Sequence, residues 1–236
     1  MSLTMKRRAF LRATLAGLPL AGLTAALGAG FARPALALSE QQEIVDLARI
    51  SFDKLITSEE FAELPGYVKR SKAVLIYPQL VKGGFILGGE GGTGVLMARG
   101  DSGWSDPAFY TLAAGSIGLQ IGGQVSEVVF TIMSAKALDA VLDNQMKFGG
   151  DMSIAAGPIG KGIGADTTTN LEADVYSFAK TEGLFGGISF EGAGILKRDS
   201  WNEAYYGAGA TPYDIVIARK LTNPNAQQLK NALAAY

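Results

Sequence analysis

Glycine is the feature of this sequence that most constrains its fold. The chain has 31 glycines but only 8 prolines among its 236 residues, and the glycines punctuate short apolar segments. This pattern indicates tight turns, bulges and close backbone approaches rather than a low-complexity linker. Short strands separated by frequent turns are typical of antiparallel sheets. The sequence therefore predicts a single α+β domain, in which a barrel-like or sandwich-like antiparallel sheet system is flanked by helices.

Three helices have recognisable starts. Ser39 and Gln42 fit a capping box that opens an amphipathic helix to about Thr57. Ser134 caps a helix that runs to about 144, and Asn223-Pro224 opens the final helix. A further turn at 58–60 is expected to be broken by Leu64-Pro65-Gly66. Strands are predicted at 73–77, 110–114, 117–121, 127–133, 152–156, 171–179, 187–190, 195–198 and 213–218, with 85–87 and 95–98 forming a hairpin around the glycine run 88–94.

Residues 1–37 are predicted to form a twin-arginine signal peptide. Paired arginines occur in the basic segment 6–12, a mildly apolar stretch follows at 13–31, and Ala35-Leu36-Ala37 supplies a cleavage site with small residues. The mature domain would then be 38–236, in the periplasm or exported by the twin-arginine pathway, with peripheral membrane association as an option. An uncleaved N-terminal anchor is the alternative.

The chain contains no cysteine and no histidine. Their absence excludes cysteine nucleophiles, Ser-His-Asp triads, histidine bases, disulfides and zinc sites built on these residues. Five of the 21 basic residues lie in 1–37, so 16 remain against 22 acidic residues, a net charge of −6. That balance disfavours nucleic acid as a partner and indiscriminate binding to anionic lipid, so any anion site must be local.

Two glycine motifs resemble nucleotide-binding loops. The segment 89–94 matches G-x-G-x-x-G, but the β-like residues 95–98 follow it where a dinucleotide site requires a helix, which favours a hairpin. The segment 157–162 lacks the first glycine and the Ser or Thr of a phosphate loop, which favours a turn. Lys161 could still form a small anion nest there with exposed amides. No cofactor is expected.

Charged side chains provide the remaining candidate sites. Lys69, Arg70 and Lys72, with Lys82 ten residues on, form the one compact basic cluster. Two explanations of this cluster stay open. The cations could stabilise the C-terminus of a helix, or they could contact phosphate or lipid headgroups. A glycosidase would need two carboxylates across a cleft. Acidic residues that could supply them are Asp101, Asp106, Glu127, Asp151, Asp166, Glu172 and Asp174, and no local pairing distinguishes any of them.

Several blocks occur in an order that resembles the SYLF-domain family of lipid-binding proteins. The resemblance spans about 44–236. The blocks are 72–78, 82–85, 88–89, 92–95, Trp104-Ser105-Asp106-Pro107, 118–122, 150–158, Tyr176-Ser177, 183–187, and Asn202 with Tyr205-Tyr206-Gly207. Each block alone is weak, but their common order is specific.

The resemblance implies a non-enzymatic domain that binds phospholipids through basic residues and an N-terminal amphipathic helix. Carried over by position, these are helix 40–57 and Lys69, Arg70, Lys72 and Lys82. That helix is rich in acidic residues, and its apolar face is expected to pack on the domain rather than on a bilayer. Two alternatives stay open. One is an envelope structural or protein-interaction module without lipid affinity, and the other is a carboxylate-based glycan hydrolase.

Overall fold

A computed structural model describes residues 39–84, 87–117, 122–144, 146–149, 152–157, 173–183, 190 and 192–236. All of them belong to one compact unit, Ala37–Tyr236. The α-helices are α1 Glu40–Ile56, α2 Leu64–Arg70, α3 Ala135–Leu142, α4 Asp199–Tyr206, α5 Pro212–Val216 and α6 Gln227–Ala234. The strands are β1 Ala73–Gly84, β2 Leu87–Gly100, β3 Gly103–Trp104, β4 Ala108–Ile117, β5 Gly122–Ile132, β6 Ile154–Ala156, β7 Val175–Gly183 and β8 Gly194–Lys197.

The strands form one curled sheet in the order β6-β7-β5-β1-β2-β4-β8, with β3 paired to β2. All pairs are antiparallel except β6 with β7. The expected α+β class with an antiparallel sheet and flanking helices is therefore confirmed.

Each face of the sheet buries its own apolar layer. On one face, which we call the inner face, Leu75 and Tyr77 pack with α3 and α5. On the other, the outer face, Val74 and Ile76 pack with α1, α2 and α6. Alternation along β1 sends successive side chains to opposite faces. Helices therefore cover both sides of the sheet.

Helix α1 is fixed to the outer face by its apolar side. Val45, Ala48, Phe52 and Leu55 are all buried, as the sequence predicted. The capping box forms only in part. Ser39 Oγ accepts from the Gln42 amide at 3.2 Å, but the Gln42 side chain donates to Asp46 instead of returning to the cap.

The glycine run 88–94 is wrongly predicted as a turn, because it lies inside β2. A Cβ on Gly94 would overlap the Ile76 carbonyl oxygen and lie 2.6 Å from the Tyr77 ring, and one on Gly92 would overlap the Gln79 carbonyl. Glycine is needed here because the irregular middle of β1 presses against β2. Residues 85 and 86, between β1 and β2, lie outside the described residues.

Two further predictions are wrong because helices form at these positions. The strand predicted at 213–218 is wrong, because Thr211 caps α5 through the Asp214 amide and Pro212 occupies its first turn. Pro65 likewise lies in the first turn of α2 rather than breaking a helix. The predicted strand at 187–190 lies almost entirely outside the described residues, as does 118–121. Helix α4 was not predicted.

Candidate binding surfaces

Three cations lie exposed where α2 ends and β1 begins, and we call Lys69, Arg70 and Lys72 the basic cluster. Lys69 and Arg70 belong to the last turn of α2. The backbone of Lys72 is already bonded to both neighbours of β1, since its amide donates to Ile132 O of β5 and its carbonyl accepts from Arg99 N of β2, both at 2.8 Å. The cluster is therefore presented by a rigid part of the fold.

The charges of the basic cluster are available to an external anion. The ion pairs of the described residues involve Arg49, Lys54, Lys220 and Lys230, and none involves the cluster. The Arg70 guanidinium carbon lies 5.0 Å from the centre of the Tyr67 ring, a cation–π contact that leaves its charge in place.

Lys82 does not join these three residues. It lies ten residues along β1 from Lys72, which corresponds to roughly 30 Å of strand, and its position two residues from buried Leu80 places it on the inner face. Its cross-strand neighbours are Glu90 and Gln124. Lys161, the centre of the possible anion nest, lies outside the described residues.

Lys82 belongs to a polar row on the inner face. Burial raises the pKa of the Glu90 carboxyl, and the charge of Lys82 opposes that rise. In the same row, the buried Gln124 amide donates to Ser126 at 3.2 Å, and the Ser126 and Thr181 hydroxyls are 3.1 Å apart. The charge of Lys82 thus partly compensates the buried carboxylate of Glu90 within the fold.

An open groove of about 230 Å³ lies on the outer face, between α1 and strands β5 and β7. We call it the α1 groove. Its walls combine apolar and charged side chains with the irregular segment of β1. They are Leu47, Lys54, Val125, Glu127, Lys180 and Glu182, with Pro78 and Gln79.

One ion pair fixes the helix side of the α1 groove. Lys54 Nζ lies 2.7 Å from Glu127 Oε2, and the Ser51 hydroxyl donates to Glu127 Oε1 at 3.2 Å. The hydrogen bond to Glu127 raises the pKa of Lys54 despite some desolvation. These contacts hold α1 on β5 and leave the β7 side of the groove open.

Sequence reasoning missed this groove. The sequence presents Glu127 only as one of many carboxylates, and it does not distinguish Lys54, Lys180 or Glu182. The available signal was the alternation Lys180-x-Glu182, which places both side chains on one face of a strand. The groove also requires the β5–β7 register, in which Glu127 opposes Lys180 and Val125 opposes Glu182.

Two other candidate carboxylates serve the structure. Buried Asp106 accepts from Lys230 Nζ at 2.6 Å and from the Asn223 amide at 2.8 Å, which ties the loop after β3 to the C-terminal helices. Desolvation of Asp174 is outweighed by hydrogen bonds from Ser134 and Ser153, so its pKa lies below the ordinary value. Asp151, Asp166 and Glu172 lie outside the described residues.

The described residues contain no group of three acidic side chains close enough to hold a metal ion. Within the same part of the chain, no helix is both long and apolar enough to cross a membrane.

An exposed basic cluster and an open groove with mixed lining are features of a domain that binds through its surface. Comparison with known proteins agrees with this class. Residues 113–236 match the Ysc84 family model, described as a Las17-binding protein actin regulator. The chain belongs to this family, which confirms the SYLF resemblance seen in the sequence.

Curated relatives extend the match toward the N-terminal part of the domain. SH3 domain-containing YSC84-like protein 1 of Xenopus laevis is 31% identical over 187 residues, which is 78% of this chain and 53% of the relative. Protein YSC84 of Saccharomyces cerevisiae is 34% identical over 175 residues, 72% of this chain and 37% of the relative. LAS seventeen-binding protein 3 of Saccharomyces cerevisiae is 31% identical over 173 residues, 72% and 38%. The chain thus spans about half or less of the length of these relatives, one of which is named as a binding protein.

Proposed function

We propose that this chain is a non-enzymatic domain that binds anionic phospholipid surfaces through the basic cluster. The observation that carries this proposal is the exposure of Lys69, Arg70 and Lys72 on a rigid part of the fold, outside the ion pairs of the described residues. Each cation near an anionic membrane contributes about 1 kcal/mol. Three of them give useful but salt-sensitive binding despite the acidic charge of the rest of the domain.

Helix α1 acts in this proposal as part of the scaffold. Its apolar side is buried against the sheet, and releasing that side would expose Phe52 and Leu55 to water. The expected route to the membrane is therefore electrostatic contact at the end of α2 rather than insertion of α1.

We also propose that the domain acts outside the cytoplasm. The twin-arginine motif at 6–12 and the small residues at 35–37 support export. In that setting, bacterial membrane lipids are the available anionic surface.

Co-sedimentation of the purified protein with vesicles tests the lipid proposal. Vesicles of phosphatidylcholine alone are compared with vesicles that also contain phosphatidylglycerol, at low and moderate salt. The double variant Lys69→Ala/Lys72→Ala should lose about 2 kcal/mol, roughly thirtyfold in affinity for the anionic vesicles. The matched variant Lys147→Ala/Lys197→Ala removes the same charge elsewhere and should bind like the original protein. Equal losses in both variants, or no binding at all, would contradict the proposal.

A protein partner is the second candidate function. The matched family is described as Las17-binding, and one relative is named as a LAS seventeen-binding protein. A module of this kind would show no vesicle binding and would instead give a defined complex with an envelope protein. Cross-linking in intact cells, followed by identification of the joined chain, separates it from the lipid proposal.

A further inference from the structure

The β7 side of the α1 groove carries two opposite charges that do not pair with each other. Lys180 and Glu182 are two residues apart on β7, so both side chains lie on the outer face, with their Cα atoms roughly 7 Å apart. Neither is in an ion pair with another described residue. The groove therefore presents a positive and a negative group side by side.

The other groups in the groove compensate this arrangement only in part, since the negative charge of Glu182 acts on Lys54 without forming an ion pair with it. Glu127 lies opposite Lys180 across the β5–β7 pair, but its carboxylate is already bonded to Lys54 and Ser51. The net charge of these four ionic side chains is zero. An ion of one sign would gain attraction from one residue and repulsion from its neighbour, whereas a ligand carrying both signs would gain from both.

Apolar side chains adjoin these charges. Leu47 and Val125 line the groove and are 36% and 40% exposed. Beside them, Val81 is the cross-strand partner of Val125, and Ile50 lies one turn along α1 from Leu47. Val81 and Ile50 are each 49% exposed. Water-exposed apolar side chains beside a charge pair suit a ligand that is itself amphiphilic.

We propose that the α1 groove receives the headgroup of a phospholipid that carries both a phosphate and a primary ammonium group, such as phosphatidylethanolamine in a bilayer. Lys180 contacts the phosphate, Glu182 accepts hydrogen bonds from the ammonium group, and the apolar side chains lie against the acyl region. This inference rests on the proposed membrane function but uses a different surface and a different lipid from the basic cluster. The domain would then have two lipid-binding sites, one for anionic lipids and one for phosphatidylethanolamine.

The test uses phosphatidylcholine vesicles with and without phosphatidylethanolamine. The double variant Lys180→Gln/Glu182→Gln removes both charges and leaves net charge unchanged. Its binding to the ethanolamine-containing vesicles should fall about tenfold, while its binding to phosphatidylglycerol vesicles should be unchanged. Phosphatidylcholine has a quaternary ammonium group without N–H donors, so it should bind more weakly than phosphatidylethanolamine. The matched control Lys147→Gln/Asp139→Gln alters two exposed charges elsewhere and should bind normally.

Three results would overturn the inference. The first is equal binding of the double variant and the original protein to ethanolamine-containing vesicles. The second is no preference for these vesicles over phosphatidylcholine alone. The third is saturable binding of free phosphoethanolamine without vesicle binding, which would assign the groove to a soluble ligand. Failure of the basic-cluster proposal appears separately, as binding to phosphatidylglycerol vesicles that Lys69→Ala/Lys72→Ala weakens no more than Lys147→Ala/Lys197→Ala does.

Discussion

Lys54 of α1 and Glu127 of β5 form an ion pair with a 2.7 Å separation between Nζ and Oε2. The pair lies beside the buried side of the helix, where Phe52 contacts Tyr236 edge to face at 6.1 Å between ring centres. Polar and apolar contacts thus attach the same helix to the sheet and to the C-terminus. The amphipathic helix α1 is therefore part of the core.

Truncation of the buried side of α1 should destabilise the whole domain. Phe52 is fully buried, so Phe52→Ala removes a large side chain from the outer layer and should lower the free energy of unfolding by about 3–5 kcal/mol. Ile50→Ala changes an exposed side chain of the same helix and should alter it by about 0.5 kcal/mol or less. Urea unfolding measures both. A loss below about 1 kcal/mol for Phe52→Ala would mean that α1 is not docked.

Glycine inside β2 should be required for packing and not for flexibility. A Cβ at Gly94 would overlap the backbone of β1, so Gly94→Ala should cost about 1–3 kcal/mol. A Cβ at Gly83, in β1, would meet no neighbouring atom within 4 Å, so Gly83→Ala should be neutral or stabilising. Thermal unfolding compares the two variants directly. Equal destabilisation by both would show that the close approach of β1 and β2 does not constrain position 94.

These glycines show how far the sequence could predict the fold. Alternating and short apolar segments indicated an antiparallel α+β domain, and the residues at Ser39, Ser134 and Asn223 indicated three helix starts. The sequence could not place the run 88–94 correctly. Glycine is required at 92 and 94 because the irregular segment of the neighbouring strand β1 packs closely against them, and not because the chain turns there. Only the pairing of β1 with β2 reveals that cause.

At 211–217 the sequence contains a helix-start signal and an apolar pattern that predict different structures. Thr211 and Pro212 form a standard helix start, but the apolar residues 215–217 suggested a strand. The basic cluster was visible in the sequence because its three members are near neighbours. Sequence distance alone groups Lys82 with the cluster. Because a strand rises about 3.3 Å per residue, the ten residues of separation place Lys82 far from Lys72. The α1 groove joins distant segments and therefore required the structure.

The buried carboxyl of Glu90 should make stability depend on pH. Its pKa is raised in the folded state, chiefly by burial, so the folded protein holds the proton more tightly than the unfolded chain. The wild-type protein should therefore lose stability as pH rises from about 4 through the raised pKa. Glu90→Gln removes this cost, so it should raise the Tm at about pH 8, with the gain shrinking toward about pH 4. Exposed Glu60→Gln serves as the control. A Tm difference for Glu90→Gln that is the same at both pH values would contradict the assignment.

The most direct test of membrane binding places a reporter at the basic cluster. The chain has no cysteine, so Lys69→Cys provides a unique attachment point for an environment-sensitive fluorophore, and Arg70 and Lys72 remain in place. Lys147→Cys removes the same charge from an exposed position beside the inner layer and provides the matched control.

With phosphatidylglycerol vesicles at low salt, we predict a blue shift of the label at 69, reversal of that shift by added salt, and no shift of the label at 147. An unchanged label at 69, or equal shifts at both positions, would contradict the claim that the basic cluster is the membrane-binding surface.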